Sequence, residues 1–199
     1  MSTSSSPKRG DAKRQAIVTA ATDAFLSQGF EASSVDAISA AAQVSKRTLY
    51  NHFPGKRELF RAVVAKLYAG LIDGENAGPD ADETPETALP RLARALLAHL
   101  RRPEVIGLLR LVVAEHHRFP ELAADFHTEG KGPAVAVVAR YLAAQSSLAI
   151  PDNTLAAQQF LGAVKDALFW PAVIGFSVSQ DDDTVITAAT RMIIQIYRL

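Results

Sequence analysis

The sequence predicts an all-α protein, and three observations carry the prediction. Apolar residues recur at three- and four-residue spacing through most of the 199 residues, with no sustained apolar–polar alternation to compete. Residues 33–56, SSVDAISAAAQVSKRTLYNHFPGK, read as a helix, a three-residue turn and a second short helix crowded with groups that can touch DNA. The last two helical stretches are apolar almost all round, as helices buried in a core or a subunit interface are. About nine helices are expected: an N-terminal three-helix unit containing the helix-turn-helix, followed by a helical body.

Residues 1–10 are Ser-rich and read as a disordered arm, with Lys8, Arg9, Lys13 and Arg14 available to phosphates. The first helix spans about 11–28, with Ile17, Ala21, Ala24 and Phe25 as its apolar face. Gly29 ends it, and Phe30 is placed to fold back on Phe25. Ser34 precedes the stripe Val35, Ile38, Ala41, Ala42 and is positioned to cap that helix. Ser45 can cap the next one, in which Leu49 and Phe53 stand i, i+4 and face inward with Val44. Pro54 forces the residue before it out of helical geometry. A fourth helix follows from Lys56 to about residue 72. Its first-turn cation opposes the helix dipole, which a bound phosphate would offset.

Within the second short helix the outward residues are Lys46, Arg47, Thr48, Tyr50, Asn51 and His52. Arg47 and Asn51 are one turn apart; Arg suits guanine and Asn suits adenine in the major groove. Thr48 suits a thymine methyl or a phosphate.

These residues resemble the DNA-binding domain of the TetR family of transcriptional regulators. Thr48, Leu49, Tyr50, His52, Phe53 and Lys56 stand as they do in the family's recognition helix and the start of the next one. The stretch DAKRQAIVTAATDAFLSQGFEASSV is similar to the family's first helix and following turn. The likeness is strong over residues 11–66 and weak beyond. It implies phosphate contacts by Tyr50, His52 and Lys56, with Ser33, Ser34 and Ser45 at the starts of the two short helices among the DNA-contacting residues. It also implies a helical domain that binds ligand and dimerises. One position departs from the pattern. Gln43 stands where the turn usually has Gly, at a cost of roughly 1–2 kcal/mol if a left-handed conformation is needed.

Composition narrows the rest. With no Cys there is no disulfide, thiolate metal site or cysteine nucleophile. No apolar stretch reaches the roughly 18–20 residues of a membrane span, and the N-terminus lacks the apolar core of a secretory signal, so a cytoplasmic protein is expected. Net charge is zero but divided. Residues 1–66 hold ten Lys/Arg and five Asp/Glu, leaving eleven and sixteen for residues 67–199: +5 against −5. A basic head on an acidic body suits a phosphate-binding module joined to something else.

Residues 73–84, DGENAGPDADET, form the clearest break, and the head is assigned residues 11–68 with the body at 69–199. In the body, Leu89, Leu92, Leu96, Leu97 and Leu100 share one side of a helix. Pro103 opens the next helix and Pro120 another, which Gly130, Gly132 and Pro133 must break. Asp152 caps a long helix bent near Pro171, and three acids at 181–183 precede the last. Two-fold pairing through the last two helices would present two recognition helices to two half-sites of one double-stranded operator.

Leu100, Ile106, Leu109, Val113, Phe126, Phe160 and Trp170, with His116 at the wall, are candidates for an apolar pocket taking a small-molecule effector. His99, His116, His117 and His127, even with Glu115 and Asp125, lack metal-ligand spacing, and adjacent histidines on a helix diverge by about 100°. No metal and no cofactor is assigned. Neither G-x-S-x-G, a P-loop nor H-E-x-x-H occurs, so an enzyme is not expected. The expected function is a dimeric repressor released from a palindromic operator by a small, largely apolar ligand. The alternatives are a helical dimer or enzyme without DNA binding, or a constitutive binder or activator.

Overall fold

A computed structural model describes residues 9–72, 83–177 and 179–199. The basic arm before residue 9 and nearly all of the 73–84 break lie outside the described residues. The helices are α1 (Arg9–Gln28), α2 (Val35–Ala41), α3 (Lys46–His52), α4 (Lys56–Ile72), α5 (Pro85–Leu100), α6 (Pro103–Glu115) and α7 (Glu121–Phe126). A π turn (His127–Lys131) leads into α8 (Gly132–Ala143), α9 (Asn153–Leu168), α10 (Trp170–Ile174) and α11 (Asp182–Tyr197). The fold is all-α; the only β feature among the described residues is an isolated bridge between Leu148 and Arg198. Helices exceed the expected nine because the predicted breakers act in full. Gly130, Gly132 and Pro133 divide α7 from α8 through the π turn, and α9 stops at Leu168 before Pro171.

The chain divides into two compact units. One comprises residues up to Leu67 with Gly107–Phe126; the other comprises Tyr68–Ile106 and His127–Leu199. The division falls inside α4 and α6.

In the first unit, Ile17, Val18, Ala21 and Phe25 of α1 are buried with Ile38, Leu49, Phe53 and Leu59, Phe60, Val63 and Val64 of α4. Gly29 takes φ +87° and donates its N–H to the Phe25 carbonyl at 3.0 Å, so α1 ends in a left-handed cap. Phe30 then returns onto Phe25, ring centroids 5.5 Å apart, and meets Phe60 at 5.8 Å and Phe119 at 5.0 Å. The predicted stripe on α2 is only partly right. Ile38 is buried but Ala41 is exposed, and Ser39 is buried instead, its hydroxyl donating to the Asp36 carbonyl at 2.9 Å.

In the second unit α5, α8, α9 and α11 pack together. All five leucines predicted for one side of α5 are buried, as are Phe160, Leu161, Val164 and Leu168 of α9 and Ile186, Ile193 and Ile194 of α11. Asp152 and Asp181 cap α9 and α11, accepting from the Leu155 and Thr184 N–H at 2.9 Å each. Arg101, just past the end of α5, pairs with both carboxylate oxygens of Asp182 at 2.5 and 2.8 Å.

Gln43 is the one described non-glycine residue at positive φ, +54°. Two bonds explain why the turn demands it. The Gln43 N–H reaches the Ala40 carbonyl and the Val44 N–H reaches the Ser39 carbonyl, both at 3.0 Å, which is the Schellman closure of α2. Gln43→Gly removes the left-handed strain and adds only the smaller entropy cost of glycine. The expected result is a gain of up to about 1 kcal/mol, a rise of about 2–4 °C in melting temperature by calorimetry.

Candidate nucleic-acid interface

The recognition segment is built from the inside out. Leu49 is fully buried and Phe53 nearly so, which fixes the roll of α3 about its axis. Ser45 caps it, accepting from the Thr48 N–H at 3.1 Å, with the two hydroxyls 2.8 Å apart. Phe53 leaves the helix in extended geometry (φ −138°, ψ 107°) ahead of Pro54. With Leu49 and Phe53 committed inward, Lys46, Arg47, Tyr50 and Asn51 stand outward together at i, i+1, i+4 and i+5, all exposed.

Arg47 and Asn51 make no ion pair or side-chain hydrogen bond among the described residues. Lys46 lies 2.7 Å from Asp36 of α2, whose hydrogen bond raises its pKa above the ordinary lysine value. Both partners are exposed, so the pair is weak and a phosphate can compete for the ammonium. Thr48 and His52 are half-buried at the edges of the row.

Three predicted phosphate contacts differ from one another. Ser34 is exposed and caps α2, accepting from the Ala37 N–H at 3.0 Å. Ser33 is a correction. It is buried, and its hydroxyl donates inward to the carbonyls of Gly29 (2.6 Å) and Ala24 (3.0 Å), so its side chain is a tether and not a surface donor. Lys56 is half-buried. Its Nζ donates to the Glu31 and Ser33 carbonyls at 2.9 and 2.8 Å and sits 4.7 Å from the centre of the Phe30 ring. Burial pushes its pKa below the lysine value, and the nearby Glu115 charge opposes that. Two carbonyls therefore account for the first-turn cation, and one N–H remains for a phosphate.

Sequence reasoning missed what holds this segment from behind. Asp125 of α7 is buried and takes a two-pronged hydrogen bond from Arg57, 2.7 and 2.9 Å. Glu115 accepts from the Glu31 N–H at 3.2 Å, and Arg118 pairs with the Glu31 carboxylate. Phe119 completes the aromatic cluster, and Arg14 of α1 lies 5.2 Å over the Phe53 ring. No local signal marks residues 107–126 as partners of a helix-turn-helix some 80 positions earlier. Glu115 and Asp125 are thus engaged with the head and not with histidines. His116 and His117 do not diverge as on a helix: α6 ends at Glu115, and in the turn beyond it their rings lie 3.9 Å apart.

Two family profiles match the chain: "Bacterial regulatory proteins, tetR family" over residues 17–63, and "AefR-like transcriptional repressor, C-terminal domain" over residues 87–199. The chain belongs to the TetR family. Regulators of this family bind DNA and act as dimers. Among TetR-family relatives, it is 28% identical to the transcriptional regulator TcmR of Streptomyces glaucescens over 70% of this chain and 63% of that one. It is 38% identical to the transcriptional activator FasR of Mycolicibacterium smegmatis over 32% of this chain and 29% of that one. The chain therefore spans less than two thirds of these relatives. The structure of the flavonoid-responsive regulator FrrA superposes with a TM-score of 0.80 at 31% identity, covering 94% of this chain and 97% of that one.

The eight predicted ligand contacts of this TetR-family chain fall four to each unit. In the second unit Leu100 and Phe160 are buried in the core, Ile106 is half-buried and Trp170 is exposed. In the first, Leu109 and Phe126 are half-buried, while Val113 and His116 are exposed, His116 Nδ1 lying 2.7 Å from the Val113 carbonyl. None of them lines the apolar cavity of the second unit, which has about 20 Å³ of free space between α4, α5, α8 and α9. Helical spacing revealed apolarity but not which apolar residues face one another.

The second unit also buries His99, and burial pushes its pKa down to about 4, with Arg102 acting in the same direction. The unfolded chain therefore takes up this proton first, near pH 6.5. The stability from keeping His99 neutral is present above that pH and is lost as pH falls toward 4. Urea midpoints should fall between pH 7 and 5, and less so in His99→Phe.

Proposed function

We propose that this TetR-family protein is a dimeric repressor. Two copies seat their α3 helices in adjacent major grooves of a palindromic operator, and a small, largely apolar ligand in the second unit releases the DNA. The observation that carries this reading is the outward row Lys46, Arg47, Tyr50 and Asn51 on a short helix whose opposite side is locked by Leu49 and Phe53. Arg47 and Asn51 are the base readers; Tyr50, Lys46 and Ser34 hold phosphates. His52, Thr48 and Ser45 border the row, and Lys56 adds its remaining N–H.

Pairing through the last helices is supported by large apolar side chains left exposed there: Leu155, Ile174, Phe176, Met192 and Ile196. Met192 and Ile196 stand i, i+4 on α11, exposed along the edge of its buried face next to Ala189. Repression follows the AefR-like profile of the second half, although FasR acts as an activator. A small aromatic effector follows the flavonoid response of FrrA.

The test is a gel-shift titration at several salt concentrations with operator DNA selected from random sequence. Arg47→Ala should cost about 1–3 kcal/mol and relax preference at one base pair. Lys56→Ala should weaken all sequences alike, lower the salt slope by about one and loosen the start of α2. A change of sequence preference in Lys56→Ala, or none in Arg47→Ala, would overturn the assignments. A monomer mass by sedimentation at micromolar concentration would overturn the dimer.

A further inference from the structure

We propose that His99, with Tyr68 beside it, is the polar anchor of a binding site in the second unit for a neutral, mostly apolar molecule carrying a phenolic hydroxyl. The proposal rests on the effector-responsive reading above and names the ligand class for it.

His99 is only 8% exposed, yet its Nε2 meets no hydrogen-bond partner among the described residues. Buried polar atoms are paired in the great majority of cases, and one left alone invites a partner. The imidazole lies against the Tyr68 ring, centroids 4.9 Å apart and planes inclined at 57°. Tyr68 is itself buried. A hydrogen-bonding nitrogen is thus set beside a buried aromatic ring, with the Arg102 charge in reach, and an aromatic wall with a few placed polar groups is the usual make-up of a small-molecule site.

Its position along the helices links it to the apolar cavity. Leu92, Ala95 and Leu96 of α5 line that cavity, and His99 continues the same face at i, i+3, i+4 and i+7. On α4, Leu71 lines the cavity and Tyr68 stands one turn before it. The remaining walls are Ala134, Val137 and Val138 of α8 and Leu161 of α9. The polar pair therefore stands one helical turn beyond the cavity on two of its helices. The cavity holds about 20 Å³, so a ligand must widen it by moving leucine and valine rotamers.

The charge state selects the hydroxyl. Burial keeps the imidazole neutral at ordinary pH. A neutral imidazole nitrogen accepts from a phenol O–H in one tautomer and donates to its oxygen in the other. A carboxylate would bring an unpaired negative charge into a buried site, which is far costlier. An alkylbenzene would leave Nε2 unpaired.

The test uses the full chain and three probes of matched size: 4-propylphenol, propylbenzene and 4-propylbenzoate, with binding measured by calorimetry and thermal shift. The phenol should bind about tenfold or more tightly than the other two. His99→Phe should lose about tenfold for the phenol and nothing for propylbenzene, and His99→Gln, whose amide reaches the place of Nε2, should recover most of it. Equal binding of phenol and propylbenzene, or no loss in His99→Phe, would overturn the proposal. Should His99→Phe fold poorly, nitrogen-15 NMR of the wild-type imidazole decides: saturating 4-propylphenol must shift Nε2, and no shift overturns it. If the phenol binds through His99 without altering operator affinity, the site stands and the effector reading fails. If another compound releases the operator equally from wild type and His99→Phe, the effector reading stands and this site fails.

Discussion

Leu49→Ala is expected to cost about 2–5 kcal/mol and to abolish operator binding at concentrations where the wild type saturates. Leu49 is fully buried and is the one buried residue within α3. A seven-residue helix is too short to persist by propensity alone, so its existence depends on this contact, the Ser45 cap and Phe53. Truncating Leu49 removes the contact without touching any of the exposed side chains of α3. Hydrogen exchange followed by mass spectrometry should show faster exchange in residues 46–53, including the Leu49 amide bonded to the Ser45 carbonyl at 3.0 Å. If exchange there is unchanged while binding is lost, Leu49 acts through something other than seating the helix.

Phe60→Ala should cost about 3–5 kcal/mol, the range for truncating a fully buried phenylalanine. Phe60 touches Phe25 at 6.2 Å and Phe30 at 5.8 Å, and Phe30 in turn meets Phe119. It joins α1, the left-handed cap after it, and α4. Phe30 also lies under the Lys56 ammonium, so the cavity left by Phe60 should loosen the platform beneath the start of α2. Phe60→Leu, which keeps most of the volume, should recover more than half of the loss in chemical denaturation. Equal losses in the two variants would mean that ring contacts, and not volume, set the stability.

Much of the head was legible because its signals are local. The caps at Ser34 and Ser45, like that of Asp152 in the body, need only a side-chain oxygen three residues ahead of an amide, and each forms. Leu49 and Phe53 face inward because one turn separates them, and that fixes which residues face out. Gln43 was marked by the glycine it replaces, and its φ of +54° follows from the Schellman closure of α2. The same local logic misjudged Ser33, because the carbonyls that draw its hydroxyl inward belong to the end of α1 and the turn after it.

The sequence by itself determined the all-α class, the capped starts of α2, α3 and α9, the outward row on α3 and the split of charge between residues 1–66 and 67–199. These depend on periodicity, capping and composition, which act over a few residues or need only counting. Tertiary structure alone decided that residues 107–126 back the helix-turn-helix through Asp125, Glu115 and Phe119. It also decided that the Lys56 ammonium is held by two carbonyls, and that His99 is buried with a nitrogen that meets no hydrogen-bond partner among the described residues. Each of these is a meeting of residues distant in the chain. Helical spacing shows which residues share a face of one helix, while the residues that face them across the core are set by packing between helices.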